Sequence, residues 1–315
     1  MKTRPFKQVD VFTARPYFGN PLAVVLDGSD LDDAAMQRFA QWTNLSETTF
    51  VLPPADPAAD YSVRIFTPGG ELPFAGHPTL GSCHAWLEAG GKPKSADFIL
   101  QECQIGLIKI RREAASTARQ RLAFCAPPLT RSLPDPAWQR EVVQALGLQP
   151  EHIVAAQLLD NGPVWLGLLL DSVETALQLT PDHRALHKLG AKVGVAALYP
   201  PEETPPLIAR ANREARAFEA SPRPRAVSGP DLEVRAFAAA IGINEDPVTG
   251  SLNASLAQWL IAEGRLPARY LASQGVCVRR AGQVQIERDA QGQVWVGGES
   301  VTCIDGQVLI GPDRA

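Results

Sequence analysis

No stretch of these 315 residues approaches the apolar run of about 20 residues that a bilayer span requires. The first ten residues, Met1 to Asp10, hold no long apolar stretch of the signal-peptide kind. Together these two absences lead to the expectation of a cytoplasmic protein without a membrane partner. No block of Lys or Arg occurs, and the formal net charge is −4, which argues against nucleic acid as a partner. The five cysteines (Cys83, Cys103, Cys125, Cys277 and Cys303) are odd in number, widely spaced and without a C-x-x-C pair. That pattern suggests neither a disulfide framework nor a zinc site, and reads as reduced thiols in half-buried positions. No His/Asp/Glu group has metal-ligand spacing, and neither a Walker loop nor a dinucleotide fingerprint occurs. Gly69-Gly70 and Gly90-Gly91 are turn signals only. The expectation is therefore no metal and no cofactor. What remains is ordinary for a soluble globular chain: 45% apolar and 20% charged residues, at a length that suits two domains.

The feature that stands out is a pair of glycine-centred turns. One reads Pro73-Phe74-Ala75-Gly76-His77-Pro78-Thr79-Leu80-Gly81, the other Glu245-Asp246-Pro247-Val248-Thr249-Gly250-Ser251-Leu252-Asn253. A shift of 174 positions lays Gly76 on Gly250 and Gly90 on Gly264. Each turn is followed by a small, apolar run, Pro78 to Ala89 and Leu252 to Glu263, which predicts a helix of about three turns closed by a glycine at C′. A helix start exposes backbone N–H groups and carries partial positive charge. Two such starts placed face to face would clamp a small carboxylate from both sides.

Other landmarks repeat in the same order. Gly19-Asn20-Pro21 before the apolar run Leu22 to Leu26 is echoed by Asn161-Gly162-Pro163 before Val164 to Leu170. Asp27-Gly28-Ser29 is echoed by Asp171-Ser172, and Thr48 to Pro53 by Val193 to Pro200. Short runs rich in β-branched and aromatic residues predict strands at Gln8–Phe12, Phe50–Leu52, Tyr61–Phe66, Phe98–Leu100, Gly106–Ile110 and Arg121–Phe124. Asp32 to Asn44 predicts a helix with Asp30 as N-cap. Trp138 to Leu146 and Asp182 to Lys188 predict two more. The chain reads as two halves of one ancestral unit, each of mixed strands wrapped around one apolar helix. The expected halves are 1–126 and 127–299, meeting near Ala126-Pro127-Pro128. The strands Val294–Gly298 and Gln307–Ile310 come last, and the segment from about 300 to 315 is expected to return to the first half. Pro200 to Pro230 breaks the symmetry: Arg210 to Glu219 reads as an exposed helix and Ser221 to Pro230 as a loop. A solvated surface insertion and a lid over the site both fit that stretch.

Glu47 stands at the junction of a helix and an apolar strand, among hydroxyls and hydrophobes. Desolvation there would raise its pKa into the range useful for proton transfer. The competing reading is a carboxylate that bonds local backbone N–H groups. Asp246, just before the second helix start, reads equally as a cap and as a second acid/base or an orienter of a bound ammonium. Glu245 reads as solvated. His77, at the first helix start, is placed to bind a carboxylate or shuttle a proton, against the alternative of a satisfied structural imidazole. Gly76, Thr249, Gly250 and Ser251 complete the candidate substrate-binding set. No base is placed by motif beside Ser251, so anion binding is preferred there over nucleophilic attack.

Asp10-Val11-Phe12, Gly19 to Val24, Asn44-Leu45-Ser46-Glu47-Thr48-Thr49-Phe50, Ile65-Phe66-Thr67-Pro68, Glu71 to Pro78 and Glu245 to Ser251 together resemble the phenazine-biosynthesis PhzF-like family. The resemblance implies an α+β fold of the diaminopimelate-epimerase type, with two pseudo-symmetric halves and the site in the cleft between them. It implies Glu47 as general acid/base, with His77, Asp246 and Ser251 lining the site. The family's founding activity isomerises trans-2,3-dihydro-3-hydroxyanthranilate by moving a proton without a cofactor. The related epimerases and racemases use two cysteines. The corresponding turns here carry Ala75 and Thr249, so a two-thiol mechanism is not implied. A homodimer is a further family-level expectation. The functional expectation is a cofactor-independent isomerase acting on a small, carboxylate-bearing, amino-acid-like substrate. The alternatives are a non-catalytic binding protein using the same cleft, an epimerase or racemase, and a hydrolase or lyase.

Overall fold

The computed structural model describes residues 1–113, 121–200 and 229–311. The helix expected over 210–219, and all but the last two residues of the loop expected over 221–230, lie outside the described residues.

The chain runs through β1 (Lys2–Val11), β2 (Asn20–Val25), α1 (Asp33–Thr43), β3 (Glu47–Leu52), β4 (Tyr61–Thr67), β5 (Gly70–Leu72), α2 (Gly76–Glu88), β6 (Phe98–Cys103), β7 (Gly106–Glu113) and β8 (Arg121–Cys125). It continues through β9 (Thr130–Ser132), α3 (Pro136–Ala145), β10 (Ile153–Asp160), β11 (Val164–Leu170), α4 (Val173–Gln178), α5 (His183–Lys188), β12 (Val193–Leu198), β13 (Leu232–Ala238), β14 (Ile243–Asp246), α6 (Gly250–Ala262), β15 (Arg269–Gln274), β16 (Gly282–Arg288) and β17 (Val294–Ile310).

Strand pairing repeats itself. β2 runs parallel to β3, which is antiparallel to β4; β4 is parallel to β6, and β6, β7 and β8 follow antiparallel. In the same way β11 is parallel to β12, which is antiparallel to β13; β13 is parallel to β15, and β15, β16 and β17 follow antiparallel. β17 then crosses over. Its first residues pair with β8, Trp295 opposite Cys125, and its last with β1, from Val301 opposite Asp10 to Ile310 opposite Lys2. β9 makes the reciprocal crossing and pairs with β10.

α2 and α6 are the two central helices. Both are apolar nearly all round, as a helix enclosed by sheet must be. α2 packs on β1, β2, β3 and β8, and α6 on β10, β16 and β17. Trp259, Leu256, Leu260 and Leu80 are fully buried. One core cluster carries residues of both helices together with Phe124 and Val296. Gly90 and Gly264, with φ of +93° and +69°, close the two helices as expected. α1 is different: it is a surface helix that buries Ala35, Met36 and Ala40.

Among the boundaries that differ from expectation, three have a clear physical cause. α1 is capped by Asp32, whose Oδ1 accepts from the Ala35 N–H at 2.8 Å, and not by Asp30. Asp30 has φ +63°, whereas a side-chain N-cap needs the extended backbone that Asp32 adopts. β1 begins at Lys2 rather than Gln8 because its inward residues Arg4 and Lys7 are charged and hide the alternation. Arg4 donates to the Asp27 carbonyl, and Lys7 pairs with Glu88 and Asp305. β17 is one strand rather than two, because its polar middle is held by the ladder to β1.

Candidate active site

The two helix starts meet. A Cβ built on Gly250 would lie 2.8 Å from the Gly76 Cα, and one built on Gly76 would lie 2.9 Å from the Gly250 Cα. Only glycine permits that approach. Ala75 and Thr249 are the N-cap residues, and neither gives its helix a side-chain cap. The first N–H groups of both helices are therefore left for something other than a cap.

A cavity of about 200 Å³ opens at this junction. Its wall includes Glu47, Gly76, His77, Asp246, Thr249, Gly250 and Ser251, so every candidate residue from the sequence is brought together there. Leu72, Phe74, Trp165, Ile241 and Ile243 supply an apolar wall. A larger hollow of about 610 Å³, floored by α3, has Arg140 as its one charged lining residue among the described residues, and none of these groups. Size does not identify the site; convergent chemistry does.

Glu47 enters from the first residue of β3 and is 9% exposed. Its Oε2 lies 3.1 Å from Nε2 of His77, which is 3% exposed, yet the two atoms are not aligned as a hydrogen bond. Glu47 thus makes none of the local backbone bonds that the competing reading required. Burial, and after it the charge of Asp246, holds its carboxyl well above the ordinary glutamate range. Burial pushes His77 down to about 3, so the imidazole is neutral near pH 7. Nδ1 of His77 faces the Asn20 side-chain amide nitrogen at 3.3 Å. That NH2 group already donates to Asp246 and to the Val248 carbonyl, both at 2.9 Å, and it cannot accept. The proton of the neutral ring therefore sits on Nε2, the ring nitrogen nearer to Glu47.

Asp246 closes β14. Its Oδ2 accepts from the Thr249 hydroxyl at 2.5 Å and its Oδ1 from Asn20. It does not cap α6 directly. Burial raises it to about 6, against these two bonds that favour the charged form. Thr249 is fixed in turn by Gln274 on β15: Oε1 of Gln274 accepts from the Thr249 N–H and Nε2 donates to the Thr249 hydroxyl, each at 3.0 Å. The Ser251 hydroxyl accepts from the Trp165 indole N–H at 3.3 Å. Glu245 is not solvated as expected. It forms a two-pronged pair with Arg235 at 3.0 and 2.8 Å, and both side chains are buried. Neighbouring carboxylates on one short strand thus have opposite settings, because β-strand side chains alternate between faces.

Asn20, Gln274 and Lys192 belong to the site and escaped the sequence reading. A signal existed for the supporting pair. The shift of 174 that matches Gly76 with Gly250 also lays Thr79 on Asn253. Both reach back to the cap carbonyl four residues earlier at 2.9 Å, and each is held by a glutamine of the following parallel strand, Gln101 or Gln274. Asn20 lies in the Gly-Asn-Pro landmark, read only as a strand boundary. Lys192, a single lysine before an apolar strand, has no pattern to betray it.

Among the described residues no group of three or more His, Cys, Asp or Glu side chains could hold a metal ion, and no helix is long and apolar enough to cross a membrane. No cysteine lines the cavity.

Known proteins resemble this chain along nearly its whole length. The family model for phenazine biosynthesis-like protein matches residues 9–306. A Schizosaccharomyces pombe protein, Antisense-enhancing sequence 1, is 32% identical, over 98% of this chain and 100% of its own length. The trans-2,3-dihydro-3-hydroxyanthranilate isomerase of Pseudomonas fluorescens is 31% identical, over 96% of this chain and 98% of its own. A solved Pseudomonas aeruginosa structure, described as a predicted epimerase, superposes with a TM-score of 0.74 at 26% identity, covering 97% of this chain and 99% of that one. With its epimerase-like fold, the chain belongs to the phenazine biosynthesis-like PhzF family and is an isomerase.

Proposed function

We propose that this isomerase shifts a proton within a small, amino-acid-like carboxylate, without a cofactor, and that Glu47 is the general acid/base. The observation that carries this reading is the buried Glu47 carboxyl, raised in pKa and lacking an aligned partner, on the wall of a cavity framed by two uncapped helix starts. A buried polar atom left unbonded costs about 1–3 kcal/mol, and such a cost is retained where a ligand will meet it. The substrate named in the Pseudomonas fluorescens relative, a cyclic amino carboxylate, is of the class proposed.

In this mechanism the Glu47 carboxylate removes a proton from carbon. The C–H electron pair moves into the adjacent unsaturated system, and the same carboxyl, its proton exchanged with solvent, protonates a second carbon. Nothing is oxidised or reduced. The N–H groups of Gly76, His77, Gly250 and Ser251 are preorganised donors for the negative charge that develops. Nε2–H of His77 donates toward Glu47 or substrate, and Asp246 orients the amino group.

Proton NMR in D2O tests the reading, using trans-2,3-dihydro-3-hydroxyanthranilate and a panel of amino and hydroxy acids. Deuterium is expected at a carbon-bound position with wild type. Glu47→Gln should slow that exchange by roughly 10²- to 10⁴-fold, the usual reach of a general base. A Glu47→Gln protein that keeps full exchange would sink the assignment. Tight binding with no exchange in wild type would replace it with a binding protein.

A further inference from the structure

Among the described residues that line the cavity, Lys192 is the one that carries a full positive charge. His77 cannot serve, since burial leaves it neutral. The helix starts contribute only partial charges, about half an elementary charge each. Asp246, raised to about 6, is mostly ionised near pH 7 and would repel an incoming carboxylate. A site for an anionic ligand built this way needs a cation.

Lys192 immediately precedes β12, and its carbonyl accepts from the Leu166 N–H at 2.8 Å, which fixes its backbone against β11. Its side chain is half-buried, and its ammonium makes no ion pair or hydrogen bond among the described residues. Burial lowers its pKa, with no carboxylate among the described residues to offset the loss of water. Lys7 shows the contrast: it is also drawn into the protein, but it meets the carboxylates of Glu88 and Asp305 at 3.2 and 2.8 Å. An ammonium withdrawn from water without a counter-charge is costly, and a bound anion relieves that cost.

We propose that Lys192 receives the carboxylate of the substrate, so that the second half reads the ligand's charge while Glu47 of the first half addresses its carbon–hydrogen bonds. This rests on the proton-transfer reading only for the choice of cleft. It makes Lys192 a specificity-determining residue that selects anionic ligands over neutral ones of the same shape.

Calorimetric titration with two probes tests it: anthranilate, and 2-aminobenzamide, which keeps the ring and amine but replaces the carboxylate with an uncharged amide. Wild type should bind anthranilate more tightly than the amide. Lys192→Met should weaken anthranilate roughly 10- to 100-fold, the range for a charge-assisted bond, while leaving the amide unchanged. Lys192→Arg should restore part of the preference, which a merely structural loss would not allow. Thermal unfolding of each variant checks that the fold is intact. The proposal is overturned if Lys192→Met binds anthranilate as wild type does, if both probes weaken equally, or if wild type does not prefer the carboxylate. Deuterium exchange by the wild type separates the two readings. Anthranilate binding that depends on Lys192, in a protein that exchanges no substrate proton, would keep this inference and remove the isomerisation mechanism.

Discussion

Both oxygens of the Asp246 carboxylate are occupied, by Thr249 and by Asn20, and the group is still raised to about 6 because burial outweighs the two bonds. The consequence for stability has a definite sign. In the unfolded chain this carboxyl ionises near 3.8, and in the folded protein near 6. Between those values the unfolded form releases its proton first, so rising pH favours unfolding. The stabilising contribution is complete below 3.8 and lost as pH passes through 6. Asp246→Asn removes that loss. The unfolding free energy of the variant, minus that of wild type, should therefore climb between pH 4 and pH 7, by about 3 kcal/mol from Asp246 itself and further in the same direction from Glu47, whose carboxyl the Asp246 charge helps to raise. Any constant offset from the new amide facing the Thr249 hydroxyl leaves this slope intact. His77 works in the opposite sense. Its contribution is present above 6.5 and lost as pH falls through about 3, but it is common to both proteins and cancels in the difference. Urea melts at several pH values measure the quantity, and a flat difference would refute the assignment of a raised Asp246. At this scale the sequence offered residue types and neighbours but not partners. It placed Glu47 among hydrophobes, which is enough to argue desolvation. It could not separate Glu245 from Asp246, since that distinction depends on which face of β14 meets Arg235.

The paired starts of α2 and α6 are the clearest case of an element legible in sequence. The shift of 174 is a local property, carried by glycines whose spacing reflects helix length. Strand ends were less legible. β1 and β17 contain charged and polar residues whose pairing partners lie nearly 300 positions away (Lys7 with Asp305), and no local pattern records that. The helix junction also makes a sharp prediction. Gly250→Ala places a methyl carbon 2.8 Å from the Gly76 Cα and 3.1 Å from the His77 backbone nitrogen. Backbone cannot rotate away as a side-chain tip can, so the two starts must separate. Overpacking of this kind costs about 1–3 kcal/mol. The separation also spoils the convergence of the donors, and misplacement by about 1 Å can cost a hundredfold in rate. Gly69→Ala is the control. Its new methyl carbon meets nothing nearer than the Thr67 hydroxyl at 3.7 Å, and the effect should stay within about 0.5 kcal/mol. Chemical denaturation and deuterium exchange of the two variants, measured side by side, would test the contact. Equal behaviour would mean that the starts are not in backbone contact.

Across the whole molecule the two halves share more than a cleft. β17 leaves the second half, pairs with β8 through Trp295 to Glu299, and then lies along the full length of β1. β9 crosses in the other direction to β10. The repeat made two similar halves legible, and the expected return of the segment from about 300 to 315 is met by the ladder of β17 on β1; the crossing of β9 was not legible, because a strand's partner is a tertiary choice made by the sheet that needs an edge covered. We take the junction to fall near Ala126, and the exchange argues that neither half folds alone. A fragment of residues 1–126 would leave β1 without β17, β8 with β7 alone, and Lys7 without Asp305. It would also open to water the core that Phe74, Leu80 and Phe124 share with Val248, Leu252 and Val296. A half-sized chain with two uncovered edges and a split core lacks the burial needed to offset its conformational entropy. The fragment should therefore show no cooperative melt and poor amide dispersion by NMR. Mixing it with a fragment beginning at Pro127 should recover a single transition, since the exchanged strands carry the information that docks one half on the other. A cooperative transition in the isolated 1–126 fragment would show that the seam is an addition to self-sufficient domains, and the site between them would then be free to open and close as two rigid bodies.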